Sequence, residues 1–464
     1  MADKNLYLGI DQGGSSSKGV LLEQNGQVYW EESIPIQTFS ADGAVEHDPD
    51  EIKESVRELI KLAKAAAGAH RIRSLGLSVQ RSGVLAWELK KSGTSKSLKA
   101  LTKVRTWRDS RTKDFIEGLR DKEERIKEIS GLPLTYHFAA AKIAILQKEF
   151  PNAQVGTLDS WLLASLCEQH NFLTEESHAA RTQLFGLKDR AWSLELCKIF
   201  GVDASRLAKV NHSATRWGFI EGIPVTGVIG DQQAALFGLQ VKEPIINIGT
   251  LGQIICNLNE STHFLKGYNT AITWSDKKGK VRYQLEASIN CCGEILNLVK
   301  DKTEGLEEIK EAGGIYFFPG VNTGSPDWRV DLVPTKEGAN SETPLINRAL
   351  LENIAFWFAL NLCNLAKLGA IQSLLSPIFI LGGGSNINYL VQSIATASGF
   401  ELRRLRQFHG SAYGAAALGF YGITGRFIEG ALTESYDSFK PLPGEINLRE
   451  KRWLELYTQA LQKV

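Results

Sequence analysis

Three short glycine-rich segments could bring backbone N–H groups against a phosphate: Gly13-Gly14-Ser15-Ser16-Ser17-Lys18, Gly249-Thr250-Leu251-Gly252 and Gly382-Gly383-Gly384-Ser385-Asn386. Small residues allow close approach to anionic oxygens, hydroxyls add donors, and Lys18 adds a point charge. Taken singly, each segment is equally a tight turn, because glycine is the default where φ must be positive. Two acids accompany them. Asp11 precedes the first segment and Asp231 follows the apolar run 223–229. Asp before glycine often only makes a turn, and Asp231 before Ala-Ala-Leu reads equally as a helix N-cap. One acid per half at the end of a strand is less ordinary, since α/β proteins collect their sites there. The run RTWRDSRT groups Arg105, Trp107, Arg108, Asp109 and Arg111, with a solvated loop around a packing tryptophan as the alternative. The eight histidines show no metal-ligand spacing, and only His137 invites follow-up. Walker A, kinase-type G-x-G-x-x-G, H-E-x-x-H and G-x-S-x-G patterns are absent.

The elements that must position these residues alternate along the chain. Residues 6–10 form a short apolar strand, and 20–23 and 27–30 flank Asn25-Gly26, a hairpin signal. Asp48 followed by Pro49 predicts a capped helix whose buried stripe is Ile52, Val56, Leu59, Ile60 and Leu62. Residues 73–79 return to strand, helical patterns dominate 109–200, and 223–229 is another buried strand. The pattern then restarts with strands at 245–248, 253–257, 269–274 and 280–286. Residues 301–311 predict an exposed charged helix, 345–368 a long helix, and 377–381 a strand feeding the third glycine segment. The fold class expected is α/β: two related domains facing each other across a cleft, parted near 227–230.

At 464 residues, with 43% hydrophobic and 23% charged side chains, the chain is long and apolar enough for two packed domains. A net charge of +1 supplies no field for a polyanion, so nucleic acid is not an expected partner. No apolar run reaches about 18 residues and the first residues lack a leader pattern, so no membrane span is expected and the location predicted is cytoplasmic. The six cysteines lie mostly in apolar segments without C-x-x-C spacing, and Cys291-Cys292 in particular reads as buried, reduced filler.

Taken together, GIDQGGSSSKG, VEHDPDEI, LSVQRSG, TWRDSRT, GTLDSWLL, ARTQLFGL, IPVTGVIGDQQAALFG, YFFPGVNTGSPDW, LGGGSNINYLVQ and GSAYGAAALGFYG resemble, in order and spacing, the FGGY family of carbohydrate kinases, with wording nearest glycerol kinases. The resemblance implies two ribonuclease-H-like, actin-related domains, 1–228 for acceptor and phosphates and 229–464 for catalytic base and adenosine, closing on ATP and sugar with Mg²⁺. Carried over by position, it implies Asp231 as catalytic base and metal neighbour and Asp11 as the acid near Mg²⁺. Gly13, Gly14, Ser15, Lys18, Gly249 and Thr250 would face the phosphates, and Gly293, Asn297, Gly383, Gly384 and Asn388 would surround the adenosine. Gln80, Arg81, Ser82, Trp107, His137, Gln232 and Gln253 would bind the acceptor.

Three of these depart from glycerol kinases: Ser82 replaces a glutamate, His137 a tyrosine, and Gln253 a phenylalanine. A pocket richer in hydrogen-bonding groups suits a ketose or polyol longer than glycerol, such as xylulose, ribulose or sedoheptulose, because unpaired buried polar groups cost about 1–3 kcal/mol each. Glycerol is the alternative acceptor. A catalytically silent sugar- or nucleotide-binding regulator and an actin-like ATPase of another class are the rival readings, and a homodimer is left open.

Overall fold

The computed structural model describes residues 4–92, 95–249, 251–260, 262, 264–290, 292–299, 306, 315–316, 324–326, 343–371, 377–406, 410–429 and 435–461. Thr250, Cys291, most of YFFPGVNTGSPDW and all of the expected helix 301–311 except Leu306 lie outside them.

Two mixed sheets organise the chain, each beginning with an antiparallel hairpin and continuing into parallel strands. The first runs Gly218–Ile220, Ile223–Gly230, Arg71–Val79, Asn5–Gln12, Ser16–Glu23, Val28–Pro35. Its central strands 5–12, 71–79 and 223–230 are parallel and carry the run of fully buried Leu, Ile and Val expected of strands covered on both faces. The second runs Asn269–Ser275, Val281–Ile289, Gly252–Asn259, Ile245–Ile248, Ile378–Leu381, Leu402–Leu405, Tyr436–Phe439, and its parallel centre is 245–248, 378–381 and 402–405. The restart read from the sequence is therefore a repeated topology.

Local expectations translate directly. Asp48 caps the helix Pro49–Ala67 by accepting from the N–H groups of Asp50 (2.8 Å) and Glu51 (3.2 Å), and Ile52, Val56, Leu59 and Ile60 face the first sheet's core. Gly26 takes φ +83° in the tight turn at Asn25-Gly26. Between strands 71–79 and 223–230 run several helices and four strands that join Thr38–Ala41 and Ala44–His47 in a further six-stranded sheet; this segment holds Trp107 and His137. The helix Thr343–Lys367 meets the length and mean hydropathy (1.3) of a membrane span, but 72% of its apolar window is buried, with Trp357, Phe358 and Leu362 inside the second domain's core.

The division at 228 is less simple than the sequence suggests. Strand Ile223–Gly230 is an integral member of the first sheet, and the helix Gly410–Thr424, from the end of the chain, packs on that same sheet. Its sequence GSAYGAAALGFYGIT is small because the approach is close: a Cβ on Gly9 would sit 2.0 Å from the Ala412 carbonyl oxygen, and one on Gly76 1.7 Å from that of Ala415. Gly227 is likewise occupied by packing, 2.9 Å from the Gly419 nitrogen.

Candidate active site

A cleft of about 1090 Å³ lies between the two sheets, and the turns ending their first strands open into it. Gly13, Gly14, Ser15 and Lys18 line it from one side, Gly249, Gly383, Ser385 and Asn386 from the other. The turn reading and the ligand reading of the glycines can now be separated. Gly382 has φ +87° and no space for a side chain, and a Cβ on Gly384 would lie 2.3 Å from Ile248, so turn geometry and packing account for both. Gly14, Gly249 and Gly383 are different. None has a left-handed φ, and the nearest protein atom to an added Cβ is 3.9 Å away at Gly14 and Gly249 and beyond 4 Å at Gly383. Nothing in the protein demands glycine at these three places; the open space beside them belongs to the cleft.

Asp11 ends the first strand directly opposite Lys18 in the hairpin register. Its Oδ1 accepts a 2.7 Å hydrogen bond from Ser78. Burial, and next the nearby Asp231, push its carboxyl up to about 7, against the opposing pull of Ser78 and Lys18. Gln80 sits at the cleft edge but uses its amide to hold the first turn, donating to Gln12 Oε1 at 3.1 Å and to the Gly13 carbonyl at 3.4 Å.

A smaller chamber of about 60 Å³ opens off the cleft, and Trp107, Asp231, Gln232 and Leu251 line both. Its remaining wall is Arg81, Ser82, His137, Phe138, Arg181, Ser288 and Asn290. Asp231 opens the helix Asp231–Leu239, where the helix dipole favours its negative charge. The Gln232 N–H donates to Asp231 Oδ1 at 2.9 Å and Arg81 Nε lies 3.2 Å from the same oxygen. Ser82 holds φ +60°, an unusual left-handed serine at the chamber wall. His137 is brought down to about 3 by burial and by Lys142, Arg181 and Lys113, so at neutral pH one ring nitrogen donates and the other accepts. Lys142, fully buried, fixes the loop beneath it by donating to the carbonyls of Tyr136, His137 and Phe138 at 2.9, 3.2 and 3.1 Å.

Both comparisons of this chain with known proteins and the architecture agree. Sequence models of the FGGY family of carbohydrate kinases match residues 6–238 (N-terminal domain) and 245–423 (C-terminal domain). The chain belongs to the FGGY family of carbohydrate kinases. A glycerol kinase of Bdellovibrio bacteriovorus is 31% identical with 90% of each chain covered, and one of Lactococcus lactis is 28% identical with 98% of this chain and 97% of the relative covered. Among solved structures, a Plasmodium falciparum glycerol kinase with ADP superimposes at TM-score 0.86 (23% identity; 100% of this chain, 99% of that one), and a ligand-bound xylulose kinase from Lactobacillus acidophilus at 0.80 (18% identity; 98% and 97%). The protein is thus a phosphotransferase that moves the terminal phosphoryl group of ATP to an alcohol group of a sugar or polyol.

For this kinase the structure sorts the residues chosen from sequence. Arg81, Ser82, Trp107, His137, Asp231 and Gln232 converge on the chamber, and Asp11, Gly13, Gly14, Ser15, Lys18, Gly249 and Gly383 on the cleft. Gln253 departs from expectation: it is wholly buried behind the chamber and donates to Glu286 Oε1 at 2.9 Å instead of facing an acceptor. Gly384 is a packing glycine. Gly293 and Asn297 lie on the helix Cys292–Val299, do not line the cleft, and Asn297 is exposed. Asn388 is exposed and accepts from Arg404 at 2.9 Å. The family models part between 238 and 245, past the break expected at 228. Arg181, Ser288 and Asn290 in the chamber wall, and Glu286 behind it, were not foreseen. The one sequence signal for Glu286 is an acid flanked by Leu285 and Ala287 near the end of a strand.

Proposed function

We propose that this kinase seats a short neutral polyol or ketose in the chamber, with Asp231 as the general base and the ATP phosphates along the cleft. The observation that carries the reading is that Asp231 lies at the junction of the two cavities. Its two described contacts both go to Oδ1, leaving Oδ2 to accept the proton of an acceptor hydroxyl. As that oxygen attacks the γ-phosphorus, a new O–P bond forms, the bond to the ADP oxygen breaks with its electron pair leaving on ADP, and the proton resides on Asp231. Such a transfer asks mainly for alignment and charge neutralisation. Gly13, Gly14 and Gly249 offer backbone at the phosphates, Lys18 a point charge, and Gly383 a surface free of side chain for the nucleoside. The convergence of Asp11, Lys18 and Asp231 supports an active kinase over a silent binding protein.

The residues present also fit Mg²⁺. Asp11 is a half-buried carboxylate lining the cleft, with a second carboxylate close enough to oppose its ionisation, a donor set that a divalent cation would relieve. When bound, the ion neutralises charge on the phosphates. Cysteines at 167, 197, 256 and 363 that form no disulfide, and the use of ATP, go with a cytoplasmic setting.

The geometry favours an acceptor of glycerol's size. A chamber of about 60 Å³ holds about four or five water-sized groups. The two sequence relatives named above are glycerol kinases, and Gln253, an argument for a longer acceptor, is turned away from the chamber. Ser82 supports the second reading, a longer ketose reaching from the chamber into the cleft. An ADP-release assay over glycerol, ribulose, xylulose, sedoheptulose and linear polyols decides: glycerol should give the highest kcat/KM. A pentulose or heptulose giving the highest value establishes the second reading, and no acceptor-dependent ADP release with any of them would refute the proposal.

A further inference from the structure

Glu286, on the second sheet's strand Val281–Ile289, has a fully enclosed carboxylate that does not line the chamber. It accepts from Arg181 Nη1 at 3.2 Å and Nη2 at 2.9 Å, and from Arg81 Nη1 at 3.3 Å. Gln253 (2.9 Å), Gln284 (3.2 Å) and Ser288 (3.3 Å) complete its shell. Both guanidiniums come from the first half of the chain and both line the acceptor chamber. One buried anion from the second sheet therefore holds two cations of the chamber wall side by side. Arg81 has two carboxylates to choose between, Glu286 and Asp231.

We infer that Glu286 is a positioning residue for the acceptor: by anchoring Arg81 and Arg181 it fixes the donors of the chamber wall and keeps Arg81 from closing wholly upon Asp231. The physical reason is competition. Without Glu286, two guanidiniums facing each other in a desolvated wall retain Asp231 as their nearby anion, and Arg81 is drawn onto the base. The acceptor then loses its aligned donors, and small misplacement of reacting groups is costly in rate. Among the described residues Glu286 hydrogen-bonds to Arg81, Arg181, Gln253, Gln284 and Ser288 and to none of the phosphate-side residues, so nucleotide binding should stand apart. This inference rests on the chamber being the acceptor site.

The test uses the full-length kinase and the acceptor with the highest kcat/KM in the panel above. Glu286→Gln should raise acceptor KM and lower kcat, each by about 10-fold or more, while ADP affinity measured by calorimetry stays within about twofold. Glu286→Asp, which keeps the charge at shorter reach, should recover part of the acceptor KM. Because Glu286→Gln leaves buried cations unpaired and can fail to fold, Glu286→Gln/Arg181→Gln is made beside it; removing one charge of each sign should restore thermal stability but not acceptor KM. Glu286→Gln or Glu286→Gln/Arg181→Gln that is folded, binds ADP and has acceptor KM and kcat within about twofold of wild type overturns the inference. A purely structural Glu286 gives that result with a lowered melting temperature alone. If wild type itself phosphorylates no acceptor, the chamber reading fails and the inference falls with it; normal wild-type turnover with unaffected variants overturns the inference only.

Discussion

Asp11 faces Lys18 across the first hairpin of one half of the molecule, and Asn247 faces Gln253 across the first hairpin of the other. The two pairs hold matching places in a repeated topology, before and after a glycine turn that opens into the same cleft. Their surroundings differ. Lys18 is exposed to the cleft, and Asp11 is a half-buried acid with a second acid nearby. Gln253 is covered by the Arg81–Glu286–Arg181 cluster, and its Oε1 has no hydrogen-bond partner among the described residues. Duplicated backbone geometry therefore places two equivalent turns at one cleft. The charge differs by residue type; which side chain reaches the cleft is set by what the rest of the chain lays over each.

The hardest test of this asymmetry is Asp231, which follows the first sheet's last parallel strand and has no partner acid on the second sheet's turn. Asp231→Asn should lower kcat by about 10²- to 10⁴-fold, the usual worth of a general base, with ADP affinity nearly unchanged. Turnover within about twofold of wild type in a folded variant would remove the charge from the catalytic account. Next in size is Lys18→Met. Loss of the first hairpin's cation should cost about 10²-fold in kcat/KM for ATP with little change in acceptor KM. An equal loss for both substrates would mean that the two hairpins are not divided between phosphate and acceptor.

Neighbouring glycines of the third turn give a smaller, two-sided comparison. Gly383→Val should leave stability within about 0.5 kcal/mol and raise the KM for ATP by about 10-fold, because the side chain enters the cleft alone. Gly384→Ala should destabilise by about 1–3 kcal/mol through its clash with Ile248, measured as a shift in denaturant midpoint, with KM kept. Reversed results would exchange the ligand and packing roles. The smallest effect belongs to Gln253→Leu: a loss of about 1 kcal/mol in stability from one hydrogen bond, and an unchanged order of preferred acceptors. A new acceptor preference of more than about 10-fold would return Gln253 to the chamber wall.

The expectation for Gln253 failed for a reason visible in the register. Gln253 lies opposite Ser288, and Glu286 is two residues along on the same face, so the amide meets a carboxylate before it can meet a ligand. Position in a motif told which strand and which face the residue occupies; it did not tell what stands beside it. At Asn388 the neighbour is equally invisible to a local pattern: Arg404, sixteen residues on, donates to its oxygen. Near the break expected at 228, helix Gly410–Thr424 packs on the sheet that strand Ile223–Gly230 belongs to, a contact too distant in sequence for a local pattern to announce.

What the sequence determined by itself was local and periodic. The capped helix at Asp48, the turn at Asn25-Gly26, the buried parallel strands and their restart after 245 follow from spacing and from the backbone preferences of a few residue types, and the motifs they carry identify a carbohydrate kinase. Tertiary structure alone decided which glycines face open space, which side chains of the two equivalent hairpins reach the cleft, and which two carboxylates Arg81 lies between. Those outcomes depend on groups 100 or more residues apart meeting in a desolvated wall, where an ion must find a counterion or cannot be buried at all. No window along the chain contains both partners of such a pair.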